Sequence, residues 1–136
     1  MRVVLDTNIL FSALISPHGA PDTIYRAWRA ARFEVVTSRI QLDEIRRASR
    51  YSKLQAILQP AKVGVMINNL QWASVLERLT IEVEADDPND SFLLATALAG
   101  DADYQVTSDR RAGLLQRRYI ERTRIVTPPA FCAEVL

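Results

Sequence analysis

Short β-branched runs alternate with helix-period stretches along this chain, and that alternation constrains the fold more than any other feature. RVVL at residues 2–5 reads as a short buried strand, closed by Asp6, Thr7 and Asn8. Residues 9–15 are apolar and predict a short helix that stops at Ser16-Pro17-His18-Gly19, a loop signal. Pro21 and Asp22 open a helix to about residue 32, with Ile24, Ala27 and Trp28 on one face. FEVVT at 33–37 is a second strand, and Ser38 is placed to cap a helix over 39–49. Helical stretches at 51–58 and 61–75 are separated by Pro60, and the LTIEV alternation at 79–83 predicts an edge strand. The turn from Asp86 through Asp87, Pro88 and Asn89 to Asp90 leads into the helix FLLATALAG, which Gly100 can close. A strand at 104–107, a short helix at 110–117 and a strand at 124–126 follow; Pro128 and Pro129 then precede a terminal helix containing Phe131 and Val135. Strands separated by helices imply an α/β domain with a mostly parallel sheet. Such sheets bind ligands outside the carboxyl ends of their strands, where the strand order switches.

One domain spanning residues 1–136 accommodates this pattern, and a composition 49% hydrophobic and 24% charged can build a core. No apolar run approaches the ~18–20 residues needed to span a membrane. The opening MRVVLDTN enters strand-like sequence at once, so no signal peptide is expected. Cys132 is the single cysteine and cannot form an internal disulfide, so an intracellular, cytoplasmic setting is expected. Net charge is +1, but the distribution is uneven. Residues 77–109 hold nine acids against Arg78, and residues 110–124 hold six arginines against Glu121. Charge runs are ordinarily solvated surface. Here, though, all basic residues except Lys53 and Lys62 are arginines, whose planar fork suits phosphate.

The acids carry the chemistry. Asp6 directly follows the first strand, and Asp109 stands two residues after Thr107 at the same end of another. Asp90 begins an apolar helix, where an acid also serves as cap and dipole partner. Asp43 has Arg39, Arg46 and Arg47 at helical contact spacings and reads as a solvated ion-pair cluster. Its neighbour Glu44 has Ile40 and Ala48 four residues to either side, a more apolar stripe on which a carboxylate needs a partner. A doubly wound topology would gather such acids on one rim. Together they would raise one another's pKa unless a cation neutralised them. A hard, oxygen-seeking ion, Mg²⁺ or Mn²⁺, answers that need. The chain has no set of histidines and cysteines for zinc. His18 sits in a loop signal, and Cys132 reads as a small buried hydrophobe.

These residues resemble the PIN-domain family and, within it, the VapC-like toxin nucleases. VVLDTNILFSAL at 3–14 is similar to the family's first motif, and TSRIQLDEI at 37–45 to its second, with Glu44 in the metal-site position. DPNDSFLLATALAGDADYQVTSD at 87–109 resembles the third and fourth motifs together, with Asp90 before the helix and Asp109 after the strand. The resemblance implies an α/β/α sandwich around a central, mostly parallel sheet. It also implies Mg²⁺- or Mn²⁺-dependent cleavage of single-stranded RNA, a toxin role held in check by a cognate antitoxin protein, and a homodimer. Carried over residue by residue, it makes Asp6, Glu44, Asp90 and Asp109 the catalytic, ion-holding acids. Thr7 and Asn8 would then orient Asp6, and Thr107 or Ser108 would hydrogen-bond within the acidic pocket. Asp86 and Asp87 rival Asp90, although Asp87 before Pro88 suits the turn.

Arg46, Arg47, Arg50 and Lys53 beside Glu44, and Arg110 and Arg111 beside Asp109, are candidates for an RNA path that reads backbone rather than sequence. Trp28, Tyr51, Trp72 and Tyr104 are candidate stacking residues, with core packing the preferred role for Trp28. An aspartyl-phosphate phosphatase would need a second Asp where Asn8 stands. A receiver domain would need a late lysine, and none follows Lys62. The remaining alternatives are a PIN-like module that binds RNA or protein without cutting, and a housekeeping RNA-processing nuclease.

Overall fold

The computed structural model describes residues 1–78, 88–108, 115 and 118–136, with side chains for all of these except 88–90. The chain runs β1 (Arg2–Leu5), α1 (Thr7–Ile15), α2 (Ala20–Arg29), β2 (Glu34–Ser38), α3 (Arg39–Ala48), α4 (Ser52–Gln55), α5 (Pro60–Gln71) and β3 (Ser74–Leu76). It continues through α6 (Pro88–Ala99), β4 (Tyr104–Val106), β5 (Tyr119–Ile120), β6 (Thr123–Val126) and α7 (Pro128–Val135). Among the described residues these strands form one sheet in the order β3-β2-β1-β4-β6-β5. All neighbours are parallel except the β5–β6 hairpin.

Strand alternation sorts the core onto two faces. Val3, Leu5, Val35, Val106 and Val126 point to one side, against apolar residues of α1, α2, α3, α5 and α7. Val4 and Val36 point to the other, against Phe92, Leu93 and Ala97 of α6, and Ile120 and Ile125 pack there with Leu94. The result is the α/β/α sandwich with a mostly parallel central sheet that the motifs imply. Trp28 is core, edge-on to Tyr25. Phe131 is enclosed by the rings of Phe33 and Tyr104.

Local signals explain most boundaries. Ser38 caps α3 by accepting from the Gln41 N–H at 3.1 Å. Helices α2, α5 and α7 each carry proline in the first turn, where no donor is lost. Helices α2 and α6 end in the same six-to-one closure, Arg32 N–H to Ala27 O and Ala102 N–H to Ala97 O. The left-handed residues there are Ala31 and Asp101, not glycine. Gly100 therefore does not supply the left-handed closure of α6; glycine is required there because a Cβ would stand 2.5 Å from Val36 Cγ1.

Three expectations are corrected or displaced. The segment to residue 75 is not helical throughout, because α5 ends at Gln71 and Ser74–Leu76 pairs with β2 as the edge strand. The strand expected at 79–83 lies outside the described residues, as does the helix expected at 110–117 apart from Leu115. The two-residue strand β5 had no counterpart in the sequence pattern.

Candidate active site

The strand order turns at β1. From there the chain winds outward through β2 to β3, then returns to lay β4 on the other side of β1. The crevice between the carboxyl ends of β1 and β4 is therefore the switch point, the place where open α/β sheets bind ligands. Asp6 and Thr107 flank it. Asp6 is 6% exposed and Thr107 fully buried. The Thr107 hydroxyl donates to Asp6 Oδ2 at 3.0 Å, and the backbone N–H of Asn8 donates to Oδ1 at 3.1 Å. Asp6 thus caps α1 while holding a buried carboxylate at the rim. Its own N–H donates to Val106 O at 3.0 Å, and Thr107 N–H donates to Val126 O at 2.9 Å. The site floor is continuous with the sheet.

Helix α3, which carries Glu44 in its second turn, begins directly at the end of β2, the other neighbour of β1. The buried face of α3 is Gln41, Leu42 and Ile45, and Glu44 is half-buried at its margin. The apolar stripe expected around Glu44 is only partly inward, since Ile40 is 43% exposed. Asp43 is a solvated surface acid and pairs with Arg46 at 3.5 Å. Arg39 instead pairs with Glu77 at 3.1 Å, and that carboxylate's hydrogen bond raises the Arg39 pKa.

Helix α6 carries Asp90 in its first turn. Its far end meets the start of β1, where Arg2 Nε donates to Gly100 O and Asp103 N–H donates to Arg2 O. The twelve residues of α6 then carry its first turn, Pro88 to Asp90, back along the sheet toward the carboxyl ends. The Asp90 side chain lies outside what is described, and so do Asp86, Asp87 and Asp109. Among the described residues no three His, Cys, Asp or Glu side chains gather to hold a metal ion. Only Asp6 and Glu44 of the four expected acids have described side chains. Both offer only carboxylate oxygens, which suits Mg²⁺ or Mn²⁺ better than a softer ion.

The supporting residues differ from expectation in detail. Asn8 acts on Asp6 through its backbone, and its side chain is exposed. Thr7 is buried and meets Gln41, while Ser108 is exposed. Arg47, Arg50 and Lys53 are exposed, and Arg46 is tied to Asp43. Arg110 and Arg111 lie outside the described residues. Of the stacking candidates, Trp28 is core and Tyr104 packs half-buried against it, whereas Tyr51 and Trp72 are 56% and 85% exposed. His18 is an exposed loop residue. Cys132 is half-buried, and burial raises its thiol pKa.

Sequence reasoning missed Gln41. It is 1% exposed, and its amide donates to Leu5 O at 2.7 Å, beside the Asp6 turn. The contact spans 36 residues, so no local pattern announces it.

A family model described as a PIN domain matches residues 2–111. The chain belongs to the PIN-domain family, whose members are generally nucleases that use divalent metals. Among solved structures, the fold is similar to a chain in the crystal structure of VapBC2 from Rickettsia felis bound to a DNA fragment from their promoter. That likeness has a TM-score of 0.59 and 20% identity, and covers 93% of this chain and 98% of that one. No curated protein matches the sequence. Among the described residues no helix is long and apolar enough to cross a membrane.

Proposed function

We propose that this chain is a Mg²⁺- or Mn²⁺-dependent endoribonuclease and the toxin of a toxin–antitoxin pair. The observation that carries the proposal is the buried Asp6 carboxylate at the switch point, held by the Thr107 hydroxyl and the Asn8 N–H. Asp6, Glu44, Asp90 and Asp109 are the residues that would hold the ion. When bound, the ion lowers the pKa of a water and neutralises charge building on the phosphoryl oxygens. The protein's own part is positional. Thr107 and the start of α1 hold Asp6 in one orientation, so little reorganisation is left for the reaction. Arg47 and Arg50, with Arg46, Arg110 and Arg111, supply phosphate contacts along the RNA without reading its bases.

The toxin role and a cognate antitoxin partner rest on the VapC-like motifs and on the fold shared with the VapBC2 chain. A homodimer and a cytoplasmic location belong to the same reading.

The test is cleavage of a panel of single-stranded and structured RNAs by the purified chain, with Mg²⁺, with Mn²⁺ and with EDTA, beside Asp6→Asn. Cutting that requires the metal and is lost in Asp6→Asn is expected. Cutting that survives both changes would point to a contaminant or another mechanism, and binding without cutting would favour a non-catalytic module. Robust cutting in vitro with no growth arrest on expression would favour a housekeeping nuclease over a toxin.

A further inference from the structure

We propose that Gln41 is a positioning residue for the acidic site: its carboxamide clamps the Leu5–Asp6 peptide and so sets the direction in which the Asp6 carboxylate is presented. The inference rests on the reading of Asp6 and Glu44 as ion-holding acids.

The clamp has two jaws. On one side, Gln41 Nε2 donates to Leu5 O at 2.7 Å. On the other, the N–H of the same peptide, that of Asp6, donates to Val106 O at 3.0 Å. Held from the β2–α3 side and from β4, the peptide plane cannot rotate, and Asp6 is kept at φ −58° and ψ 144°. The sheet alone does not provide the first jaw. The β1–β2 register pairs Arg2 with Glu34 and Val3 with Val35, and two residues farther on a side chain reaches Leu5 O instead.

The carboxamide is itself fixed. Thr37 Oγ1 donates to its Oε1 at 2.5 Å, Nε2 also approaches Thr7 Oγ1 at 3.4 Å, and Ser38 Oγ accepts the Gln41 backbone N–H. Filling the space would need only Leu or Met; the amide adds direction, and a buried amide is tolerated because its groups are bonded. Gln41 and Glu44 are three residues apart and neighbours on the helix surface. One turn of α3 therefore carries both the clamp on Asp6 and the second carboxylate.

The experiment compares Gln41→Met, Thr37→Val, Asp6→Asn and a remote core control, Ile24→Val on α2, in the full chain. Mn²⁺ affinity is measured by calorimetry, kcat and KM on single-stranded RNA, and the thermal midpoint by circular dichroism. Gln41→Met is expected to weaken Mn²⁺ binding roughly 10–100-fold, as removal of a group orienting a metal ligand does. Its loss in turnover should fall on kcat rather than on KM. Thr37→Val should act in the same direction, and the double variant should lose less than the product of the two, because both act through one carboxamide. Ile24→Val should lose stability and keep wild-type Mn²⁺ affinity. Wild-type affinity and kcat in Gln41→Met, with only a lower thermal midpoint, would make Gln41 a packing residue and overturn the proposal. If Gln41→Met does not fold, wild-type affinity in Thr37→Val does the same. Equal Mn²⁺ binding by wild type and Asp6→Asn would instead overturn the metal-site reading, and this inference with it.

Discussion

The hydroxyl of Thr107 and the carboxylate of Asp6 meet at 3.0 Å across the boundary between β4 and β1, joining residues 101 positions apart. The bond ties the candidate site to the strand order, since only the return of β4 to the side of β1 brings these two together. Thr107→Val keeps the shape and removes the donor. A drop in kcat of roughly 10–100-fold is expected, with KM for RNA little changed and the fold intact. Steady-state kinetics and circular dichroism check this; unchanged kcat would mean the bond serves only the fold.

Gly100 should resist substitution although its backbone is not left-handed. A Cβ there would stand 2.5 Å from Val36 Cγ1 and 3.1 Å from Thr96 O, and Val36 is fully buried on β2. Gly100→Ala is expected to destabilise by about 1–3 kcal/mol through overpacking. Adding Val36→Ala should restore part of that loss in urea denaturation.

Asp103 should shape the acid limb of stability. Its carboxylate accepts from the Arg2 N–H at 2.9 Å and from the Arg122 guanidinium. The first of these bonds is the largest cause holding its pKa below the usual aspartate value. The unfolded chain therefore binds this proton more readily than the folded one. The stabilisation is full above the unfolded pKa of about 3.9 and is lost as pH falls through the lower folded value. Urea midpoints of wild type and Asp103→Asn should differ at neutral pH and converge below that range. A gap that persists into strong acid would rule this account out.

Gln105 lies fully buried on β4, and among the described residues both polar atoms of its side chain are without a hydrogen-bond partner. An orphaned buried amide costs about 1–3 kcal/mol. Gln105→Met fills similar space without that penalty, so a gain of this order is expected in the free energy of unfolding. A loss of stability would show that the amide has a partner in solution.

Much of the fold was legible because its signals are local. The RVVL run, the Ser38 cap and the prolines opening helices act within a few residues of themselves, and each element formed close to where it was expected. The strand at Ser74–Leu76 was read as the end of a helix because it is only three residues long, too short to show a period of its own. The hairpin at β5 escaped because Arg118 and Glu121 take left-handed backbone without glycine to mark it. At the site, Asp6 stood out as an acid directly after a strand, and the resemblance offered Thr107 or Ser108 as the hydroxyl beside it. Gln41 did not stand out, because its part depends on a carbonyl 36 residues away. The ring contact of Tyr104 with Phe131 was illegible for a similar reason, since only the folded chain brings the two together.

The most direct measurement is anomalous diffraction from crystals of the chain equilibrated with Mn²⁺. The account predicts an anomalous peak at the carboxyl ends of β1 and β4, within coordination distance of an Asp6 oxygen and reached by Glu44, Asp90 and Asp109, directly or through water. A map with no peak there at saturating Mn²⁺, or with these acids turned away and paired to arginines, would contradict it.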